Sequence, residues 1–311
     1  MFTLHGPTMG TRYSAKFIAP KNINLNVIQN SLQRVVDKVD NQMSPWQARS
    51  NLVQFNDTPV NQWFDIPVEM AVVIDEALTI GRLSDGAFNI GVGNIVDAWG
   101  FGPTQSASKI DKLKPGEALE HAHKTLELDM DKLRLKKHSP IAIDLCGIAK
   151  GFGVDEMADV LTSYNIENYL VCIDGEMKAN GLKSDGSPWV LGVEMPDYVN
   201  RHTVHNLEVS NIAIATSGDY RHVKQINNTK FSHTIDTSTG SPSANNIASV
   251  TVFDEHCIHA DAWATAFLVM GAKRAMKLAT EMEIEALIFE RQPEGLRQTA
   301  TSALKQSGLV F

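Results

Sequence analysis

Cysteine is scarce in this chain: three residues, Cys146, Cys172 and Cys257, in a length of 311. Their scatter excludes a disulfide framework and a cysteine-based zinc site, and their apolar neighbourhoods predict three buried free thiols. A basic excess is also missing. Lys and Arg number 28 against 36 Asp and Glu, a net charge of −8, so the footprint of a nucleic-acid binder is absent. The one dense basic run, from Lys132 to Lys137, reads as a solvated strand end or loop. No apolar run reaches the length of a membrane span. No Gly-x-Gly-x-x-Gly follows a first strand and no Walker A sequence occurs, which argues against a Rossmann dinucleotide site and a P-loop. Residues 1–20 have neither the basic start nor the apolar stretch of a secretory leader. With motif-like sequence already at Gly6, the expectation is a cytoplasmic protein or a chain whose leader has been removed.

Hydrophobic residues make up 43% and charged residues 21%. That suffices for a large core, in one domain over 1–311 or in two intimately packed lobes. Apolar spacing predicts helices over Leu25 to Met43 (through Val27, Leu32, Val35, Val36 and Val39), Pro67 to Leu83 with Pro67 in the first turn, and about Lys150 to Ser163. A last helical stretch, Asp261 to Glu283, breaks at Gly271. Short apolar runs predict strands at Ile141–Leu145, Tyr169–Ile173, Trp189–Glu194, Ile212–Thr216, Ser249–Phe253 and Glu285–Glu290. Residues 86–103 are rich in glycine and aromatics with no long element, and 104–140 read as a meander of turns and short strands. Strand runs interrupted by a few helices predict an α+β fold, with mixed, largely antiparallel sheets and several packed helices.

Four stretches carry candidate chemistry. Asp261 and Thr265, four apart, share one helical face, where a carboxylate and a hydroxyl could hold Mg²⁺ beside a phosphate. The same residues also read as an ordinary helix start, with an acid against the dipole in the first turn. Asp144-Leu-Cys-Gly147-Ile-Ala-Lys150-Gly151 reads as a strand, a tight turn and a helix start, either a simple junction or an anion site. Thr216-Ser217-Gly218-Asp219 suits a ligand loop or an ordinary turn. His233, three residues before Asp236, is either structural or a proton acceptor for a hydroxyl nucleophile. Phe88 and the run Trp99-Gly-Phe-Gly-Pro103 could stack flat rings or simply pack the core.

In combination and order these stretches resemble the ApbE family of flavin transferases. The resemblance rests on Gly6-Pro-Thr-Met9-Gly10-Thr11, Met43-Ser44 with Ser50 and Phe55-Asn56, Asp85-Gly86-Ala87-Phe88-Asn89, and Trp99-Gly-Phe-Gly-Pro103. It continues through Asp144-x-x-Gly147-x-x-Lys150-Gly151 with Asp155, Thr216-Ser217-Gly218-Asp219-Tyr220, Ser232-His233-x-Ile-Asp236 and Asp261-x-x-x-Thr265. It implies an enzyme that moves FMN from FAD onto a protein threonine and releases AMP. Mg²⁺ would be held by Asp261, Thr265 and the main-chain carbonyl of Gly147. FAD contacts would fall on Met9, Trp46, Ala87, Phe88, Asn89, Asp144, Lys150 and Ile235, and His233 would assist the attacking threonine. The implied partner is a flavin-accepting subunit of a membrane electron-transfer complex, met in the periplasm at the inner membrane.

Some positions depart from the family pattern. Gly91 and Asn94 stand where Thr and Pro are usual, Trp46 where Tyr is common, and Thr237 where Pro follows Asp236. Asp174-Gly175-Glu176 replaces Gly-Gly-Asp/Glu, and Asp174 would either face the phosphates or face solvent. Two other readings use the same residues: water could replace the threonine, making an FAD pyrophosphatase, or the chain could bind FAD without catalysis.

Overall fold

The computed structural model describes residues 1–104, 117–197, 202–220, 223–226 and 229–309. Its frame is a sheet of eight strands that lie side by side in chain order. They are Phe2–Thr8, Thr11–Phe17, Tyr169–Ile173, Glu176–Asn180, Ile212–Gly218, Ile247–Asp254, Glu285–Gln292 and Gly295–Ala300. Every strand pairing among the described residues is antiparallel, so the α+β class expected from the strand runs is the class found.

The helices are α1 (Leu25–Met43), α2 (Asn51–Asp57), α3 (Val68–Leu83), α4 (Gly93–Ala98), α5 (Ala122–Thr125), α6 (Ala149–Ser163), α7 (Cys257–Met270), α8 (Ala272–Glu281) and α9 (Ser302–Gln306). Asn24 caps α1 through its side chain, and Ile28, Leu32, Val36, Val39 and Met43 form the buried stripe. That stripe uses Ile28 rather than Val27, which is exposed. Pro67 is the N-cap of α3, one place before the first turn. Helices α1, α6 and α7 pack on one face of the sheet; the hairpin of Trp189–Glu194 and Thr203–Val209 covers the other. Strand Ile247–Asp254 is therefore buried on both faces, which suits its β-branched residues.

Helix α7 is the centre. It is rich in alanine and buried on nearly every side, the pattern of a helix inside a core rather than on it. It begins at Cys257, a full turn before the expected start. The cause lies far away in sequence: the Asp155 carboxylate of α6 accepts from Cys257 N at 3.1 Å and Ile258 N at 2.9 Å, satisfying two N-terminal donors. Asp261 and Thr265 consequently sit in the second and third turns, and the reading of Asp261 as a first-turn acid does not hold.

Three further expectations give way. Residues 141–145 form no strand. Asn56 takes their hydrogen bonds instead, accepting from Ile143 N at 2.8 Å and donating to Ile143 O at 2.9 Å, while Asp144 N donates to Ile90 O. The basic run is not simply solvated: Lys137 is 4% exposed in strand Arg134–Lys137. Its Nζ donates to Asn56 O and Ile141 O, and burial lowers its pKa. Of the three thiols only Cys257 is fully buried; Cys146 and Cys172 are partly so. Burial raises the pKa of all three. In 104–140, the expected meander contains α5 and strands Leu126–Asp129 and Arg134–Lys137; its stretch 105–116 lies outside the described residues.

Candidate functional site

The polar side chains of interest gather in a seam between the sheet and helices α6 and α7. Alternation along strand Glu176–Asn180 puts Met177 and Ala179 against the far core and turns Glu176 and Lys178 toward the helices. There Glu176 pairs with Lys150 of α6, and Lys178 pairs with Asp155 at 2.8 Å. The same alternation on strand Ile212–Gly218 turns Ala215 and Ser217 toward α7, and Ser217 Oγ lies 3.0 Å from Thr265 Oγ1.

Helices α6 and α7 touch at Gly151. A Cβ there would stand 2.3 Å from the Cys257 carbonyl and 2.8 Å from Asp261 Cβ, so only glycine allows the approach. The contact lets Gly151 N donate to Asp261 Oδ2 at 2.9 Å. The Gly147 turn closes the same space: a Cβ on Gly147 would lie 3.3 Å from Thr265 Oγ1 and 3.5 Å from Phe88 Cε2. Asp144 stabilises that turn by accepting from Cys146 N at 2.7 Å. From Ala260 to Leu268 every residue but Thr265 is buried; Thr265, Gly147, Lys150 and Ser217 are partly exposed. The seam thus has a mouth at Thr265, with Asp261 behind it at 3% exposure.

Burial dominates the electrostatics. It raises the Asp261 pKa, with the Lys150 charge and the Gly151 N–H opposing. Glu176, 3% exposed, is pushed up to about 7 by burial in spite of Lys150. Burial alone would lower Lys150; Glu176 and Asp261 outweigh it and hold the ammonium above its ordinary pKa. Among the described residues, Glu176 Oε2 has no hydrogen-bond partner. Two buried carboxylates thus face one lysine, an arrangement short of positive charge.

The remaining predicted residues fall at different distances from the seam. Met9 is in the left-handed region, φ 46°, and its Cε would stand 3.3 Å from a Cβ at Gly153 of α6. Ala87 and Phe88 are buried, and Phe88 N donates to Ser84 Oγ. Asn89 is occupied structurally: Oδ1 accepts from Gly91 N and Ala122 N, and Nδ2 donates to Glu120 O. Ile235 belongs to the short strand Ile235–Asp236 beside α7. His233 lies edge-on to Phe101, ring centres 6.4 Å apart, and Thr237 ties this segment to the Gly86 carbonyl at 2.8 Å. Trp46 stands on the loop after α1, 55% exposed. Asp174 is exposed in the left-handed turn before Glu176, φ 53°, and its charge raises the Lys150 pKa. A groove of about 550 Å³, lined by Asn30, Arg34, Lys38 and Asn51, lies over α1 and contains none of these residues.

The ApbE family model matches residues 9–288. The chain belongs to the ApbE family. The FAD:protein FMN transferase of Vibrio cholerae is 36% identical over 97% of this chain and 91% of its own length. The Escherichia coli K12 protein of the same name is 28% identical over 94% and 85%. Among solved structures, the flavin transferase ApbE of V. cholerae superposes with a TM-score of 0.84 at 34% identity, covering 98% of both chains. The apo flavinyl transferase ApbE of Pseudomonas stutzeri gives 0.85 at 29%, covering 98% and 96%. These matches span the seam from the Met9 turn to the end of α7.

Among the described residues no cluster of three His, Cys, Asp or Glu side chains is poised for a metal. The donors at the mouth are one carboxylate, one hydroxyl and a glycine turn, all hard oxygens. That set fits Mg²⁺, which takes few protein ligands and completes its shell from phosphate and water, and the shortage of positive charge favours a cation. Sequence reading missed Asp155 as the cap of α7, Glu176 as the partner of Lys150 and Ser217 as the partner of Thr265. Strand alternation around Met177 and Ala215 was the available signal for the last two.

Proposed function

We propose that this ApbE protein is an FAD:protein FMN transferase that requires Mg²⁺, attaches FMN to a threonine hydroxyl of a target protein by a phosphodiester bond, and releases AMP. Family membership and full-length relatives support the transferase activity. The convergence of Asp261, Thr265, the Gly147 turn and Lys150 at one mouth supports the chemistry and carries the proposal. Mg²⁺ held by Asp261, Thr265 and the Gly147 carbonyl would supply Lewis-acid neutralisation of the FAD pyrophosphate. Lys150, steadied by Glu176, offsets charge on the same oxygens. The Gly151 N–H fixes Asp261 so that its carboxylate stays aimed at the mouth. His233 takes the threonine proton; its Nδ1 is buried, so Nε2 is the receiving atom. General-base help of this kind contributes about 10²–10⁴-fold. Phe88 lies beside the Gly147 turn, and exposed Trp46 offers a ring for stacking on the flavin.

We place the acceptor among flavin-carrying subunits of membrane electron-transfer complexes and the reaction in the periplasm at the inner membrane. No helix among the described residues is long and apolar enough to cross a membrane. The test is incubation with FAD, Mg²⁺ and such a subunit, read by mass spectrometry. An FMN-sized mass gain on an acceptor threonine, abolished by EDTA, is expected. No gain while FAD is bound contradicts the proposal, and AMP released steadily without acceptor supports hydrolysis instead.

A further inference from the structure

We propose that Ser217 is a positioning residue for metal binding: its hydroxyl oxygen accepts a hydrogen bond from the Thr265 hydroxyl and so aims a Thr265 lone pair into the mouth of the seam. The inference rests on the Mg²⁺ reading given above. A helical threonine ordinarily donates to the carbonyl one turn back. Thr265 instead meets Ser217, with Oγ atoms 3.0 Å apart. A hydroxyl that gives a lone pair to a cation must point its hydrogen elsewhere, and Ser217 Oγ, 3.0 Å away, can accept it. Both residues are partly exposed on an otherwise buried helix and strand face, so the pair lines the opening rather than the core.

The strand under Ser217 is fixed on both sides. Thr216 Oγ1 pairs with Thr251 Oγ1 at 2.8 Å across the sheet. Asp219 takes the Arg291 guanidinium in a fork of 2.5 and 2.6 Å. This bracing holds the serine oxygen in place before any ligand arrives, as supporting residues behind metal ligands do. It also gives a role to the Thr216-Ser217-Gly218-Asp219 stretch, which was open to reading as an ordinary turn.

Ser217→Thr and Ser217→Val decide the matter, because they share a shape and differ by the hydroxyl; Ser217→Ala repeats the loss without added methyls. Mg²⁺ is titrated calorimetrically into the full-length protein carrying FAD, acceptor omitted, and melting is followed in EDTA. The valine and alanine variants are expected to bind Mg²⁺ about 10-fold or more weakly, and the threonine variant within about threefold of wild type. All are expected to melt alike in EDTA, which a purely structural hydroxyl would not allow. Equal Mg²⁺ affinity for the valine and threonine variants overturns the inference while leaving the metal site standing. A wild-type protein that binds no Mg²⁺ overturns both.

Discussion

Two ion pairs stand two residues apart on one face of one strand, and they do different things. Lys178 meets Asp155, and Asp155 also accepts from Cys257 N and Ile258 N. Its carboxylate is fully engaged, and what it holds is the start of α7. Glu176 meets Lys150, but its second oxygen is buried with no hydrogen-bond partner among the described residues, and Lys150 keeps 28% of its side chain exposed. Burying polar groups is tolerated when every one is satisfied; a shortfall beside an opening marks a place where a ligand completes the set. The first pair builds the frame, and the second leaves an excess of negative charge at the mouth of the seam.

The comparison can be broken first at Asp155. Asp155→Ala strips α7 of its cap and leaves Lys178 unpaired, at a cost of about 4 kcal/mol. Urea denaturation measures this, and a loss under about 1 kcal/mol would show that the pair is not structural. Glu176 gives a smaller effect of distinctive pH dependence. Its carboxyl is raised from 4.5 to about 7 in the fold. Stability from such a group is complete below the unfolded pKa and is lost as pH rises through the folded one. From about pH 5 to about pH 8, Glu176→Gln should therefore gain on wild type by roughly 2 kcal/mol. Denaturation curves at the two pH values that keep a constant gap between variant and wild type would contradict this.

Much of the site was visible in the chain because it is local. The spacing of Asp261 and Thr265, and of Gly147 and Lys150, is set by helices and turns that contain both members of each pair. The parts that stayed hidden are long-range. Asp155 starts α7 from 102 residues away, so periodicity alone began the helix at Asp261, one turn late. Asn56 clamps Ile143 from 87 residues away, so an apolar run that looks like a strand never joins a sheet. Lys137 belonged to a basic run, yet strand alternation turned it inward with Leu135, where two carbonyls receive its ammonium. The fold class came through because strand runs and helical stripes are themselves local signals. The order of the eight strands depends on long-range pairings, the widest joining Tyr13 to Ile173, and was not legible.

The central claim is that the mouth of the seam is a Mg²⁺ site organised by Asp261. Calorimetric titration of Mg²⁺ into the wild-type protein and Asp261→Asn, both carrying FAD, tests it most directly. Asparagine keeps the shape and the Gly151 contact but removes the charge, so Mg²⁺ affinity should fall by about 100-fold or more while the melting temperature in EDTA holds. Unchanged Mg²⁺ affinity in the variant would contradict the account.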